Sequence, residues 1–181
     1  MRHSPRTFAG HSRRPLTTVP SRSTRTRSIT LASTATPTEV PAGASLRLLL
    51  FAVAGRVYGC DIGAVREIVP IRHTTRLPGA PSYVRGLINL RGAIVTVIDL
   101  AARLAGQSAA PEGSVVLAQY GSKQVGLAVD EVRDVQILPP DRLEVATGDV
   151  ARGGIVRGLG HLDDGVVLVL DVPSVVRQVM A

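Results

Sequence analysis

A chain of 181 residues with 45% hydrophobic side chains can build one ordinary domain or two small lobes, and its 3% aromatic content leaves Val, Leu, Ile and Ala to fill the core. One cysteine, Cys60, excludes an intramolecular disulfide. The net charge of +7 is localised: residues 1–45 hold seven Arg against one acid, whereas residues 46–181 hold fourteen basic and thirteen acidic residues, so charge gives no reason for the domain itself to bind nucleic acid.

Residues 1–45 are rich in Arg, Ser, Thr and Pro and lack a periodic apolar face. Such a stretch buries too little surface to offset its ordering entropy, and a disordered basic tail is expected. A transit-type leader, a basic arm for anionic lipid or nucleic acid, and a neutral tail or miscalled start stay open as its role. No apolar segment follows the first arginines, so secretion is not expected. The run Leu48–Ala54 is far short of the roughly 20 residues that span a bilayer.

In chain order, Leu46–Ala54 and Val57–Asp61 flank Gly55-Arg56 and predict a hairpin. Ile62, Val65, Ile68 and Val69 are spaced as in a short helix but equally fit a continuing strand, ended by Pro70. Residues 72–82, with Pro78, Gly79 and Pro81, predict an exposed connection. Val84–Leu90 and Ala93–Ile98 predict strands around Arg91-Gly92, followed by a helix, Leu100–Leu104, capped by Asp99 and stopped at Gly106. Val115–Tyr120 and Gln124–Val129 flank Gly121-Ser122, and Val132–Leu138 ends at Pro139-Pro140. Residues 141–150 predict a polar loop. Ile155–Leu162 and Val166–Leu170 flank an Asp163-Asp164-Gly165 turn. Asp171 then caps a last helix with Val172, Val175, Val176 and Val179 on one face and Pro173 in its first turn.

The chain repeats itself. Gly86–Asp99 aligns without gaps on Gly158–Asp171, and Gly59–Ile68 on Gly126–Val135, with glycines, apolar beats and acidic stops in the same order. Many short strands with a twofold repeat predict a mainly β fold of two small barrels, a helix covering an end of each, and a partner groove between the lobes.

No phosphate-cradling glycine loop, zinc-peptidase motif or serine-hydrolase elbow occurs. The four histidines (His3, His11, His73, His161) have no spaced metal partner, so no metal or cofactor is expected. Asp163-Asp164 reads as turn chemistry, and Cys60 as a buried, inert thiol. What remains is a charged residue in each of two apolar settings: Glu67 in Val-Arg-Glu-Ile-Val and Arg91 in Asn-Leu-Arg-Gly. Spacing leaves open whether they are solvated separately or meet as a partly buried, loop-fixing pair.

Val65-Arg-Glu-Ile68, Leu77-Pro-Gly-Ala-Pro-Ser-Tyr-Val-Arg-Gly-Leu-Ile-Asn-Leu-Arg-Gly92, Val97-Ile-Asp-Leu100 and Gly126-Leu-Ala-Val-Asp-Glu-Val132 strongly resemble the CheW family of bacterial chemotaxis adaptors. The resemblance covers roughly residues 46–179. It implies two SH3-like five-stranded β-barrels with a C-terminal helix, interleaved between the sequence halves of a domain at 46–181, and no catalysis. It further implies cytoplasmic coupling of chemoreceptors to the regulatory domain of a CheA-type histidine kinase, at receptor arrays, with the receptor tip in the groove between barrels. It makes Glu67 and Arg91 a supporting pair near the receptor site and marks Val65, Gly86, Asn89, Gly92, Val129 and Val132 as partner-binding positions. Arg91 aligns with Asp163 in the second copy, so the pair is expected once. A nucleic-acid-binding small barrel using the basic tail is the alternative, and a small enzyme would need a cleft with perturbed titrating groups.

Overall fold

Two of the longest apolar runs do not alternate with polar residues, and the fold explains why. The computed structural model describes residues 29–30, 44–71, 73–107, 112–148 and 153–180. Its elements in order are β1 (Ile29–Thr30), β2 (Leu46–Val53), β3 (Arg56–Asp61), β4 (Val65–Pro70), β5 (Val84–Leu90), β6 (Ala93–Asp99) and α1 (Leu100–Ala105), then β7 (Ser114–Tyr120), β8 (Lys123–Val129), β9 (Glu131–Leu138), β10 (Leu143–Val145), β11 (Val156–Leu162), β12 (Gly165–Leu170) and α2 (Val172–Val179). Ile62–Ala64 is a single 3₁₀ turn held by Asp61, whose Oδ1 accepts from the Gly63 amide at 2.9 Å, and the strand reading of the following segment is the one that holds.

Two sheets form, in the strand orders β1-β4-β7-β8-β6-β5 and β10-β11-β12-β3-β2-β9. The two sequence copies exchange their first hairpins. The β7–β8 hairpin of the second copy completes the first lobe through parallel pairing of β6 with β8 (Val97 opposite Gly126). The β2–β3 hairpin of the first copy completes the second lobe through parallel pairing of β12 with β3 (Val169 opposite Gly59). Bulges recur at equivalent places: between Val65 and Glu67 and between Val84 and Gly86 in the first sheet, and between Val156 and Gly158 in the second. Each sheet holds six strands rather than five, because β1 and β10 are added, and neither closes into a complete barrel. β10 lies inside the stretch expected to be loop. Ile29–Thr30 likewise lie in the tail expected to lack structure; the rest of residues 1–43 lies outside the described residues.

The exchanged hairpins have both faces buried. Leu46, Leu48 and Leu50 of β2 face the second lobe's own core with Leu138, Val167 and Val169. Leu49, Phe51 and Val53 face a larger central cluster shared by both lobes, with Tyr58, Cys60, Val65, Ile98, Val116, Leu127 and Val129. Val115 and Leu117 of β7 face the first lobe's core with Val69, Ile88, Val95 and Val97, while Val116 and Ala118 face the centre. Two-sided burial favours continuous apolar strands over alternating ones.

Both helices contribute to the central cluster, through Leu100 and Ala101 from α1 and Val172, Val175 and Val176 from α2. Apolar side chains from both lobes and both helices therefore join in one core at the lobe junction. The caps are as expected. Asp99 accepts from the Ala102 amide at 2.9 Å, Gly106 ends α1 at φ 68°, and Asp171 accepts from the Ser174 hydroxyl at 2.7 Å.

Phe51, fully buried and stacked on Tyr58 at 6.5 Å, sits where the lobes share their core. Phe51→Ala is expected to cost about 3–5 kcal/mol and to lower both lobes together, in a single urea transition followed by circular dichroism. Burial, with Asp61 adding to it, pushes the Cys60 thiol up from its usual 9.0 to about 12. The unfolded thiol thus releases its proton first, so this contribution to stability is intact below pH 9 and is lost as pH rises from 9 towards 12. Urea midpoints across that window should fall more steeply in the parent than in Cys60→Ala.

Candidate functional site

Four of the expected residues meet at one end of the first lobe. Arg91 and Gly92 form the two-residue turn between β5 and β6, both with positive φ, 52° and 88°. That is the geometry of a primed hairpin turn, which suits the right-handed twist of the strands. Asn89 holds it: its Oδ1 accepts from the Gly92 amide at 2.9 Å. Gly92 meets the turn's requirement without strain, but Arg91 carries a side chain in the left-handed region, where a non-glycine residue is uncommon.

The side chain gives the reason for an arginine there. Its Nη2 donates to Glu67 Oε1 at 2.8 Å. Glu67 lies on β4, next to β1 at one end of the sheet, and Arg91 lies at the tip of the hairpin that forms the other end. The ion pair therefore draws together strands that no backbone ladder joins, and a side-chain contact closes what the sheet leaves open. The bulge at Arg66 makes this possible. Val65 faces the central cluster, but the extra residue turns β4 so that Glu67 shares the face of Val69, towards the first lobe's own core. Glu67 is 7% exposed, whereas the Arg91 side chain is 68% exposed. A buried carboxylate is thus neutralised by an arginine whose outer face stays open to a partner.

Arg66, whose Nε donates to Gln119 Oε1 at 2.7 Å, secures the bulge. Gln119 was not foreseen, since a glutamine near a strand end carries no distinguishing sequence signal. Gly86 has a packing reason: its φ is 144°, and a Cβ there would collide with the Thr75 carbonyl, where Thr75 and Leu87 exchange backbone hydrogen bonds.

Val65 and Val129 require a correction. They are 5% and 0% exposed within the central cluster, and Val132 packs against the same cluster from β9. Buried side chains at the lobe junction support the site's frame and do not present a contact surface.

The second lobe has no equivalent pair. Glu67 aligns with Asp134 and Arg91 with Asp163, so two acids stand where the first lobe has opposite charges. Arg142 takes Asp163 at 2.6 Å, and Gln136 bridges Asp134 at 3.1 Å and Asp164 at 3.4 Å. A shallow cavity of about 170 Å³ lies beside this arrangement, lined by Leu50, Val57, Arg133, Gln136, Leu162 and Val166, among others. It belongs to the second lobe alone.

Two substitutions separate the turn from the ion pair. Arg91→Gly keeps the left-handed geometry and removes the guanidinium; Glu67→Gln keeps the shape and removes the buried charge. Arg91→Gly is expected to cost about 1–2 kcal/mol, the order of a charged hydrogen bond, while a Glu67→Gln background should abolish most of that cost in a double-mutant cycle of urea unfolding.

The family model described as CheW-like domain matches residues 47–180. The chemotaxis protein CheW of Rhizobium meliloti is 35% identical over 133 residues, 71% of this chain and 85% of that protein. The chemotaxis protein CheW of Klebsiella aerogenes is 30% identical over 134 residues, 72% of this chain and 81% of that protein. Among solved structures, the scaffolding protein TtCheW from Thermoanaerobacter tengcongensis superposes with a TM-score of 0.65 at 27% identity, covering 71% of this chain and 90% of that one.

Proposed function

This chain belongs to the CheW-like family, and from that premise we propose that it is a non-enzymatic adaptor that couples chemoreceptors to a CheA-type histidine kinase in a chemosensory array. The observation that carries the reading is the Arg91–Glu67 pair, which holds an exposed guanidinium in one geometry at the end of the first lobe. An adaptor needs a rigid body with distinct surfaces and no chemistry of its own. The shared central cluster supplies the rigidity, because neither lobe can shift without repacking the other. The difference between the lobes supplies the distinctness: a basic, exposed Arg91 at one, acids braced by Arg142 and Gln136 at the other.

In this reading the first lobe's end, with Asn89, Arg91 and Gly92, takes the receptor's cytoplasmic hairpin tip, and the second lobe offers a separate face to the kinase regulatory domain. Two modest contacts on one rigid body raise effective concentration across an array, so neither has to be tight. No helix among the described residues is long and apolar enough to cross a membrane, and the reading brings the chain to the inner membrane face through its receptors. The nucleic-acid alternative finds no support in the comparisons.

The test is a pull-down of the full chain with two baits, a kinase regulatory domain and a soluble receptor-tip fragment. Binding to both is expected, with the receptor arm weakened at least tenfold in Arg91→Gly and the kinase arm unchanged. Equal loss of both arms, or of neither, would overturn the assignment of the two faces.

A further inference from the structure

The ion pair at the end of the first lobe depends on which way the β4 bulge turns, and a side chain from the exchanged β7–β8 hairpin grips that bulge. Gln119 stands on β7, on the face of Val115 and Leu117, which line the first lobe's own core. Its Oε1 accepts from Arg66 Nε at 2.7 Å, and its Nε2 donates to the Gly121 carbonyl at 2.6 Å. A guanidinium N–H can only donate and a backbone carbonyl can only accept, so these two partners fix the orientation of the amide. An ionised acid, an amine or an apolar side chain could not serve both ends. The hairpin tip is itself anchored: Tyr120 lies under the Arg177 guanidinium at 5.6 Å, and the Lys123 ammonium donates to the Met180 carbonyl at 3.4 Å.

Arg66 is the extra residue of the bulge, between Val65 opposite Ala118 and Glu67 opposite Leu117. The bulge decides which face Glu67 takes. In an unbroken strand Glu67 would share the face of Val65, towards the central cluster and away from its partner. Comparison of the two repeats gives a second, independent observation. The repeat aligns Arg66 with Arg133 and, through the equivalent hairpin pairs Ala52–Val57 and Gln119–Gln124, Gln119 with Ala52. The second lobe thus also carries an arginine at its bulge, but an alanine stands where the first lobe has the glutamine, and Arg133 reaches Glu131 at 3.7 Å. The glutamine and the tip arginine both belong to the first lobe; the second has Ala52 and Asp163 in their places.

We propose that Gln119 is a positioning residue for the Arg91 end of the first lobe: by gripping Arg66 from the anchored hairpin tip, it holds the bulge in the register that turns Glu67 to Arg91. Its effect on receptor binding rests on the receptor-site reading above; the positioning of the ion pair does not. The Arg66 end of the grip sets Glu67, and the Gly121 end orients the glutamine.

The experiment uses the full chain with Gln119→Met, which keeps the length and loses both bonds, and Gln119→Glu, which keeps an acceptor for Arg66. Affinities for the receptor-tip fragment and for the kinase regulatory domain are read by titration. Gln119→Met is expected to weaken the receptor arm about threefold to tenfold with the kinase arm unchanged, and Gln119→Glu to stay within about twofold of the parent. In urea unfolding, the midpoint loss caused by Gln119→Met is expected to fall by about half or more in an Arg91→Gly background, because the ion pair it acts through is already gone. Equal midpoint losses in the two backgrounds would overturn the positioning. Unchanged receptor affinity in Gln119→Met, equal weakening in both variants, or a matching loss of the kinase arm would overturn the role in binding. If the parent binds no receptor fragment, the receptor-site reading fails and the role in binding with it, while the urea cycle still decides whether Gln119 positions the pair.

Discussion

The exchange of first hairpins between the two sequence copies is the constraint on which the rest depends. Because β7–β8 completes the first lobe and β2–β3 the second, each hairpin has one face in a lobe and the other in the centre. That arrangement demands apolar residues on both sides of the strands, and it leaves little room for polar groups. It also sets limits on where a glycine is needed. At Gly126 on β8, between β7 and β6, a Cβ would stand 2.7 Å from a Val115 methyl and 3.1 Å from one of Val97, so the packing on this face of the first sheet requires a glycine there.

Much of this was legible. The repeat, the hairpin turns, both helix caps and nearly every strand follow from turn residues and apolar runs, because these are local signals. The Glu67–Arg91 contact was only half legible: two charges in apolar settings marked themselves as unusual, but 24 residues of separation said nothing about whether they meet. The resemblance to a family, not spacing, made the contact expected. The misreadings share one cause. Val65 and Val129 were marked as partner positions by the resemblance, yet they are buried at the lobe junction, because a sequence shows that a residue is apolar without showing which of two apolar environments it enters. Similarly, β10 and β1, three and two residues long, are too short to announce themselves.

Divergence of the two copies at the hairpin tips makes the two ends of the molecule different. The frames agree down to their bulges, yet one lobe pairs an arginine with a glutamate, while in the other the aligned positions are both acids, Asp134 and Asp163, each held by its own polar partner. Repeated architecture gives two surfaces of the same shape; single-residue changes at the hairpin tips give them opposite electrostatic character.

The hairpin exchange also bears on the chain as it leaves the ribosome. Strands β4 to β8 are contiguous, residues 65–129, so the first sheet can assemble almost as soon as its last strand emerges. The β2–β3 hairpin is made earlier but has to wait: its partners β9 and β12 end at Leu138 and Leu170, after the strands of the first sheet have all been made. Throughout that interval Leu46–Val53, a run apolar on both faces, stands without its sheet. The first segment of the domain to be translated is thus among the last to be sheltered, which makes the nascent protein most vulnerable to misassociation at its leading end.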